Sequence, residues 1–225
     1  DTDTDTDTDT DTDTDTDTDA DCVWTWEAIE SNTLDDAPGA TVYHAAVWAS
    51  EIGEMLVFGG IPTAATDGYV HHYNPLTDIW SLGDWSGASS SLEQPTVIWT
   101  GDEAIYFAGG GSRYDGSWSG VPSGGSAPTV SSGHTAVWTG SEMIVWGGGE
   151  TVTNYGARYD PSEDAWTATS QGTNCPSARN DHAAVWTGDR MIIWGGGITP
   201  KNSGGIYDPM ADTWMATSTG TNCPS

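Results

Sequence analysis

Asp and Thr alternate without a break from Asp1 to Asp19, giving ten carboxylates and nine hydroxyls in nineteen residues. A period of two is the strand period, so an extended backbone turns every hydroxyl to one side and every carboxylate to the other, with like side chains about 6.6 Å apart. Carboxylates at that spacing lie inside a Debye length of about 8 Å, and their repulsion straightens the run into a rod of about 60 Å. Having no apolar side chain, the run cannot fold by itself. Three kinds of chemistry suit it. Thr-rich low-complexity tracts are acceptors for O-glycosylation, and sugars on Thr2, Thr4, Thr6, Thr8, Thr10, Thr12, Thr14, Thr16 and Thr18 would crowd and stiffen the backbone. Calcium prefers carboxylate and hydroxyl oxygens, which makes Asp1, Asp3, Asp5, Asp7, Asp9, Asp11, Asp13, Asp15, Asp17 and Asp19 candidate ligands. The Asp-x-Asp-x-Asp spacing opens like an EF-hand loop but lacks the Gly and the closing Glu, so a true EF-hand is excluded. The third is β-pairing with the rest of the chain or with another chain, against the facing charge. N-linked sugar is excluded, because no Asn is followed by x-Ser or x-Thr.

Elsewhere the reactive residue types fall into repeating slots. His44, His134 and His182 occupy equivalent positions. Imidazoles converging from several repeats could bind zinc or copper; the competing reading is that the slot packs and hydrogen-bonds within its own unit. His71 and His72 are adjacent, so on a strand they face opposite ways and at most one could join a site. Trp85, in the loop Gly83-Asp84-Trp85-Ser86-Gly87, stands outside the repeating slots and either stacks on a sugar face or caps the first unit. Cys22, Cys175 and Cys223 are too few for a disulfide scaffold and lack the paired spacing of zinc sites. Neither a Ser-His-Asp order nor a Gly-x-Ser-x-Gly elbow stands out. The Gly-rich stretches 109–111 and 119–126 read as mobile loops of the kind that carry contacts.

Charge narrows the partners. The 225 residues contain 33 Asp and Glu against 5 Lys and Arg, a formal charge of −28. Such a chain repels phosphate backbones and anionic headgroups, which argues against nucleic-acid and lipid-surface binding. No stretch approaches the roughly 18 apolar residues that span a bilayer, so no membrane span is expected. The chain opens on Asp1 without a basic and an apolar leader region, so any export signal is read as removed or as lying outside this segment.

The elements that must position these residues come from an internal repeat. His182-Ala183-Ala184-Val185-Trp186-Thr187-Gly188 leads into Met191-Ile192-Ile193-Trp194-Gly195-Gly196-Gly197, and the same pattern runs 48 residues earlier from His134 to Gly149. Tyr159-Asp160-Pro161 and Tyr207-Asp208-Pro209 follow, with Trp166 and Trp214 seven residues beyond each Tyr. An earlier copy has His44, Trp48, Gly59-Gly60, Tyr73-Asn74-Pro75 and Trp80; another has Pro95 in the His slot, then Trp99, Gly109-Gly110, Tyr114-Asp115 and Trp118. The anchoring tryptophans Trp48, Trp99, Trp138 and Trp186 are spaced by 51, 39 and 48, so the second copy has lost residues from its third strand or the loop before it. Each copy contains four short β-type runs separated by turn residues, and the Gly run is where backbones need positive φ or a close approach that a Cβ would block.

The Gly-Gly doublet after an apolar strand, the Tyr-Asp-Pro and the late Trp together resemble the Kelch repeat, and the secreted bacterial form in particular. The resemblance covers roughly residues 24–225. It implies an all-β, Kelch-type β-propeller: blades at about 44–82, 95–120, 134–168 and 182–216 within a segment 21–225, behind an Asp-Thr stalk at 1–20. Residues 23–29 read as a lone leading strand, and the last copy stops mid-repeat at Ser225. Further blades are therefore expected, or neighbouring chains that supply the missing edge. The family includes binding modules and a few enzymes, among them galactose-oxidase-like copper enzymes. Cys175 and Cys223 sit in repeated linkers rather than in a unique cofactor position, so the chain is read as no enzyme and as needing no cofactor, calcium aside. The expectation is an extracellular or cell-surface structural glycoprotein: an O-glycosylated stalk that forms or joins a fibre, with a propeller head and self-association between neighbouring chains. The alternative is a glycan- or protein-binding propeller with the stalk as a spacer, and a minor alternative is a galactose-oxidase-like enzyme.

Overall fold

The computed structural model describes residues 36–39, 41–62, 69–84, 94–130 and 132–220. The Asp-Thr run, the expected leading strand at 23–29, Trp85, Cys22 and Cys223 all lie outside them. Among the described residues every regular element is a strand. The first repeat contributes β1 (Thr41–Val42), β2 (Ala45–Ala49), β3 (Glu54–Phe58), β4 (Ile61–Pro62), β5 (Tyr69–Asn74) and β6 (Ile79–Asp84). The second gives β7 (Thr96–Trp99), β8 (Ala104–Phe107), β9 (Gly111–Tyr114) and β10 (Trp118–Gly120). The third gives β11 (Thr135–Trp138), β12 (Met143–Trp146), β13 (Gly156–Asp160) and β14 (Ala165–Ala168), and the fourth gives β15 (Ala183–Trp186), β16 (Met191–Trp194), β17 (Gly204–Asp208) and β18 (Thr213–Ala216).

Each repeat folds into one antiparallel four-stranded meander, with β1 and β4 pairing separately. We call these sheets I (β2-β3-β5-β6), II (β7 to β10), III (β11 to β14) and IV (β15 to β18). The innermost strands β2, β7, β11 and β15 neighbour one another in that order, the arrangement of a β-propeller-like fold. The 39-residue interval has a local cause. The β8–β9 connection is residues 108–110, whereas β12–β13 and β16–β17 use 147–155 and 195–203, so this loop is shortened and the third strand is kept; the rest of the difference lies in the turn between Tyr114 and Trp118, which is shorter than that between Tyr159 and Trp166.

Alternation along each strand gives every sheet two apolar faces. One face turns toward the preceding sheet and carries Trp138, Met143, Val145 and Tyr159 in sheet III; the other turns toward the following sheet and carries Val137, Ile144 and Trp146. Faces of consecutive sheets close on each other in three clusters, with Tyr106, Tyr159, Tyr207, Phe107 and Trp146 almost completely buried. Burying side chains of that size stabilises by about 1.5–3 kcal/mol each, so the junctions hold most of the core. The stack does not close into a ring: the outward faces of sheets I and IV leave Trp48 at 51 % and Val185 at 57 % exposure.

Two turn devices recur. Asp78, Asp164 and Asp212 have positive φ (54°, 49° and 49°), which Asp tolerates better than most residues. Each accepts a hydrogen bond on Oδ1 from the tyrosine five residues earlier: Tyr73 at 2.9 Å, Tyr159 at 2.6 Å and Tyr207 at 2.6 Å. The Gly runs act through close approach as well as through φ. Gly196 has φ +73°, and a Cβ there would lie 2.7 Å from the His182 nitrogen and 2.8 Å from its Cα. Gly196→Ala is therefore expected to cost at least about 2 kcal/mol, from left-handed strain plus displaced backbone, and this reads directly as a lower urea midpoint at unchanged slope.

Candidate functional site

Polar chemistry in the described residues gathers at the junctions between sheets. Thr96 Oγ1 on β7 and His134 Nε2, just ahead of β11, share a hydrogen bond of 2.9 Å, and Thr135 Oγ1 and His182 Nε2 repeat it at 2.8 Å one junction later. The histidine slot thus joins sheets III and IV each to the sheet before it. That corrects the expectation of bonding within one unit, and it explains the variant slots: at junction I–II, Ala45 stands in the Thr position and Pro95 in the His position, so donor and acceptor are lost together. His44, the first of the series, is exposed. The histidines do not converge on a metal, and no cluster of three His, Cys, Asp or Glu forms one among the described residues.

A second link crosses the same junctions farther out. Arg113 on β9 pairs with Glu103 (Nη2 to Oε1, 2.7 Å) and donates from Nη1 to the Pro161 carbonyl of sheet III at 3.3 Å. Arg158 on β13 pairs with Glu142 at 3.3 Å and donates to the Pro209 carbonyl of sheet IV at 3.0 Å. In sheet I the place is taken by His72, which touches Glu54 at 3.0 Å and Tyr114 of sheet II at 3.0 Å. The adjacent His71 does face the opposite way, its Nδ1 bonded to the Asp36 carbonyl at 2.8 Å. A third link uses the late tryptophans: the indole N–H groups of Trp118, Trp166 and Trp214 donate to the carbonyls of Asp84, Pro122 and Ser170 at 2.6, 2.9 and 2.9 Å. Pro122 lies in the loop that reads as mobile from sequence. That loop is instead anchored, by Trp166 and by a Tyr155 hydroxyl bond of 2.8 Å to the Ser126 carbonyl.

At the turn end of junction II–III these links leave an open groove of about 550 Å³. Trp138, Arg113, Asp102, Asp115 and Asp160 are among the residues that line it. Hydrogen bonds from the backbone and hydroxyl of Ser117 hold Asp115 below the usual carboxylate range, and Ser162 does the same for Asp160. Arg113 is already neutralised by Glu103, which keeps its guanidinium protonated. The groove is therefore a net negative cleft beside an indole. That arrangement suits a cationic side chain or the hydroxyls of a sugar. Ser141 and Ser162 line it without an imidazole beside them, since Ser162 Oγ donates to Asp160 at 2.7 Å and Ser141 Oγ meets Thr139 Oγ1 at 3.5 Å. Sequence reasoning missed the groove because its two walls belong to different repeats; the signal available was the acid of Tyr114-Asp115 and Tyr159-Asp160.

Cys175 is a free thiol, half-buried against Asn154, and burial pushes its pKa up, so it packs as a small apolar group rather than reacting. No protein-family model matches the chain, and no curated protein matches it.

Burial pushes His134 and His182 down to about 4, with the Arg179 charge adding to the effect at His182. Both rings stay neutral in the folded state while the unfolded chain takes up protons from about pH 6.5 downward. Stability is therefore full above that pH and falls toward pH 4, by up to roughly 3 kcal/mol per histidine. Urea midpoints measured from pH 7.5 to pH 4.5 should drop steadily. In His134→Gln/His182→Gln they should begin lower and stay nearly flat across that window.

Proposed function

We propose that this protein is a non-enzymatic structural glycoprotein of the cell exterior, a Kelch-type propeller head carried on an O-glycosylated Asp-Thr stalk. The observation that supports a structural reading most directly is the use made of the repeated reactive groups. His134, His182, Arg113, Arg158 and the late tryptophans are engaged in tying one sheet to the next. A head held at every junction by apolar burial and by two or three separate polar links is stiff, which a fibre component needs. The stalk adds stiffness of another kind, through charge repulsion along one side and sugars along the other.

Mass spectrometry of the amino-terminal peptide from native material tests the stalk. Sugar increments on most of Thr2, Thr4, Thr6, Thr8, Thr10, Thr12, Thr14, Thr16 and Thr18 are expected, and a bare peptide mass overturns the glycoprotein reading.

The acidic groove at junction II–III favours a second reading, a module that binds a cationic or sugar-bearing partner. In that reading Trp138→Ala and the pair Asp115→Asn/Asp160→Asn both weaken binding of a lysine-rich peptide by tenfold or more at low salt, whereas only Trp138→Ala weakens binding of a neutral oligosaccharide. Isothermal titration with both ligands separates the cases, and the absence of heat with either removes the module reading.

A further inference from the structure

The outward face of sheet IV and the outward face of sheet I are the two halves of a junction that the molecule already builds three times. On sheet IV, Val185, Ile192 and Trp194 hold the positions that Val137, Ile144 and Trp146 hold on sheet III. Val137 is 7 % exposed and Ile144 and Trp146 are fully covered, whereas Val185 is 57 % exposed and Ile192 and Trp194 are only partly covered. On sheet I, Trp48, Met55, Tyr73 and Trp80 hold the positions of Trp186, Met191, Tyr207 and Trp214, which face sheet III. Trp48 is exposed and the other three are only partly covered; the segment 36–39 lies over the neighbouring His71. What covers each kind of face is therefore on display within the chain, and among the described residues one face of each kind is left without a neighbouring sheet.

We infer that sheet IV docks onto sheet I of a second copy of this chain, head to tail, in the geometry of junction III–IV. The inference rests on the self-associating structural reading given above and not on the sugar. Its polar fit can be read position by position. Trp214 donates to the Ser170 carbonyl, and the equivalent pair across the new contact is Trp80 with Ser218. Ser170 N donates to Asp212 Oδ1 at 2.7 Å, and the equivalent acceptor is Asp78. Arg158 is replaced by Ile206, and Glu142 by Arg190, which turns back to Asp189 and Asp208 at 3.1 and 3.0 Å. The outward face of sheet IV has thus exchanged an ion pair for an apolar side chain. Ala183 replaces Thr135, so one hydrogen bond is missing, as it is at junction I–II, where the sheets pack tightly without it. The contact is heterologous, so it closes a ring of eight sheets in two copies or continues as a filament, according to the rotation between sheets.

Sedimentation velocity of the full chain, made without sugars, reads the contact directly against a single-copy mass of 23.7 kDa. The wild type should sediment as a dimer or larger at tens of micromolar, and Val185→Asp and Trp48→Glu should each sediment as single copies. Mixing those two variants should restore a one-to-one dimer, because each keeps the face the other has lost. Ala183→Thr, which returns a hydroxyl opposite His44, should tighten association about fivefold. Thermal melts confirm that each variant folds, and Ile192→Lys, whose equivalent Ile144 is fully covered at junction III–IV, replaces Val185→Asp if the latter does not. A wild type that stays monomeric, or variants that associate with themselves as well as the wild type does, overturns the inference. Neither outcome bears on the threonine sugars, which the peptide mass decides separately.

Discussion

Every sheet in this protein is apolar on both faces, and that constraint organises the rest. A sheet with two apolar faces cannot rest against solvent on either side, so each needs a neighbour, and the neighbour needs another. Closing two such faces removes their polar edges from water at the same time. A buried donor or acceptor left without a partner costs about 1–3 kcal/mol, enough to offset the burial of a large side chain. The Thr–His bond, the Arg-to-proline-carbonyl bond and the Trp-to-carbonyl bond answer that cost at successive radii of the same junction. Arg179 shows how far the demand goes: it is almost fully buried with no carboxylate among its hydrogen-bond acceptors. Its donors go to the carbonyls of Ser177, Gly195 and Ser203 and to serine hydroxyls instead.

The paired substitutions follow from the same constraint. Where the Thr hydroxyl is absent, at Ala45, the opposing slot holds Pro95, whose ring asks for no hydrogen bond. Where the guanidinium is absent, at His72, the imidazole spans Glu54 and Tyr114 and keeps the link. The glycine runs belong to this logic too, since Gly147 lets the loop of sheet III close over the His182 ring, where a Cβ would stand 2.7 Å from Cε1. The loop can then reach the next sheet's histidine without displacing it.

This division explains what could be read from residues alone. Strands and turns depend on neighbours in sequence, so Met-Ile-Ile-Trp, Gly-Gly-Gly and Tyr-Asp-Pro announced four antiparallel four-stranded sheets. Links between sheets depend on residues 34 to 51 positions apart, and no local pattern carries them. The histidines show the difference. Their recurrence identified a structural slot, but only the geometry reveals that the partner is the preceding sheet's threonine. The groove was hidden for the same reason. Asp164 and Asp212 are an intermediate case: their five-residue spacing from Tyr159 and Tyr207 is visible in the sequence, but its meaning needs the left-handed turn that brings carboxylate to hydroxyl.

Charge distribution decides what the leftover faces can do. A formal charge of −28 opposes any meeting of two copies, and much of that repulsion acts over distances that salt screens within about 8 Å. The described acids stand mainly at the turns, as Asp102, Asp115, Asp160 and Asp189 do, while the faces themselves present Val185, Ile192 and Met215 on one side and Trp48 and Met55 on the other. Repulsion therefore acts mainly between the bodies of two copies, while the middle of the contact is apolar. Salt relaxes the first and leaves the second intact, so head-to-tail association strengthens with ionic strength, whereas a cation held in the groove at junction II–III is released by it. The two surfaces thus respond to the same variable in opposite directions. That opposition follows from where the fold puts most of the described carboxylates: at the turn ends of the sheets rather than among the apolar side chains of their faces.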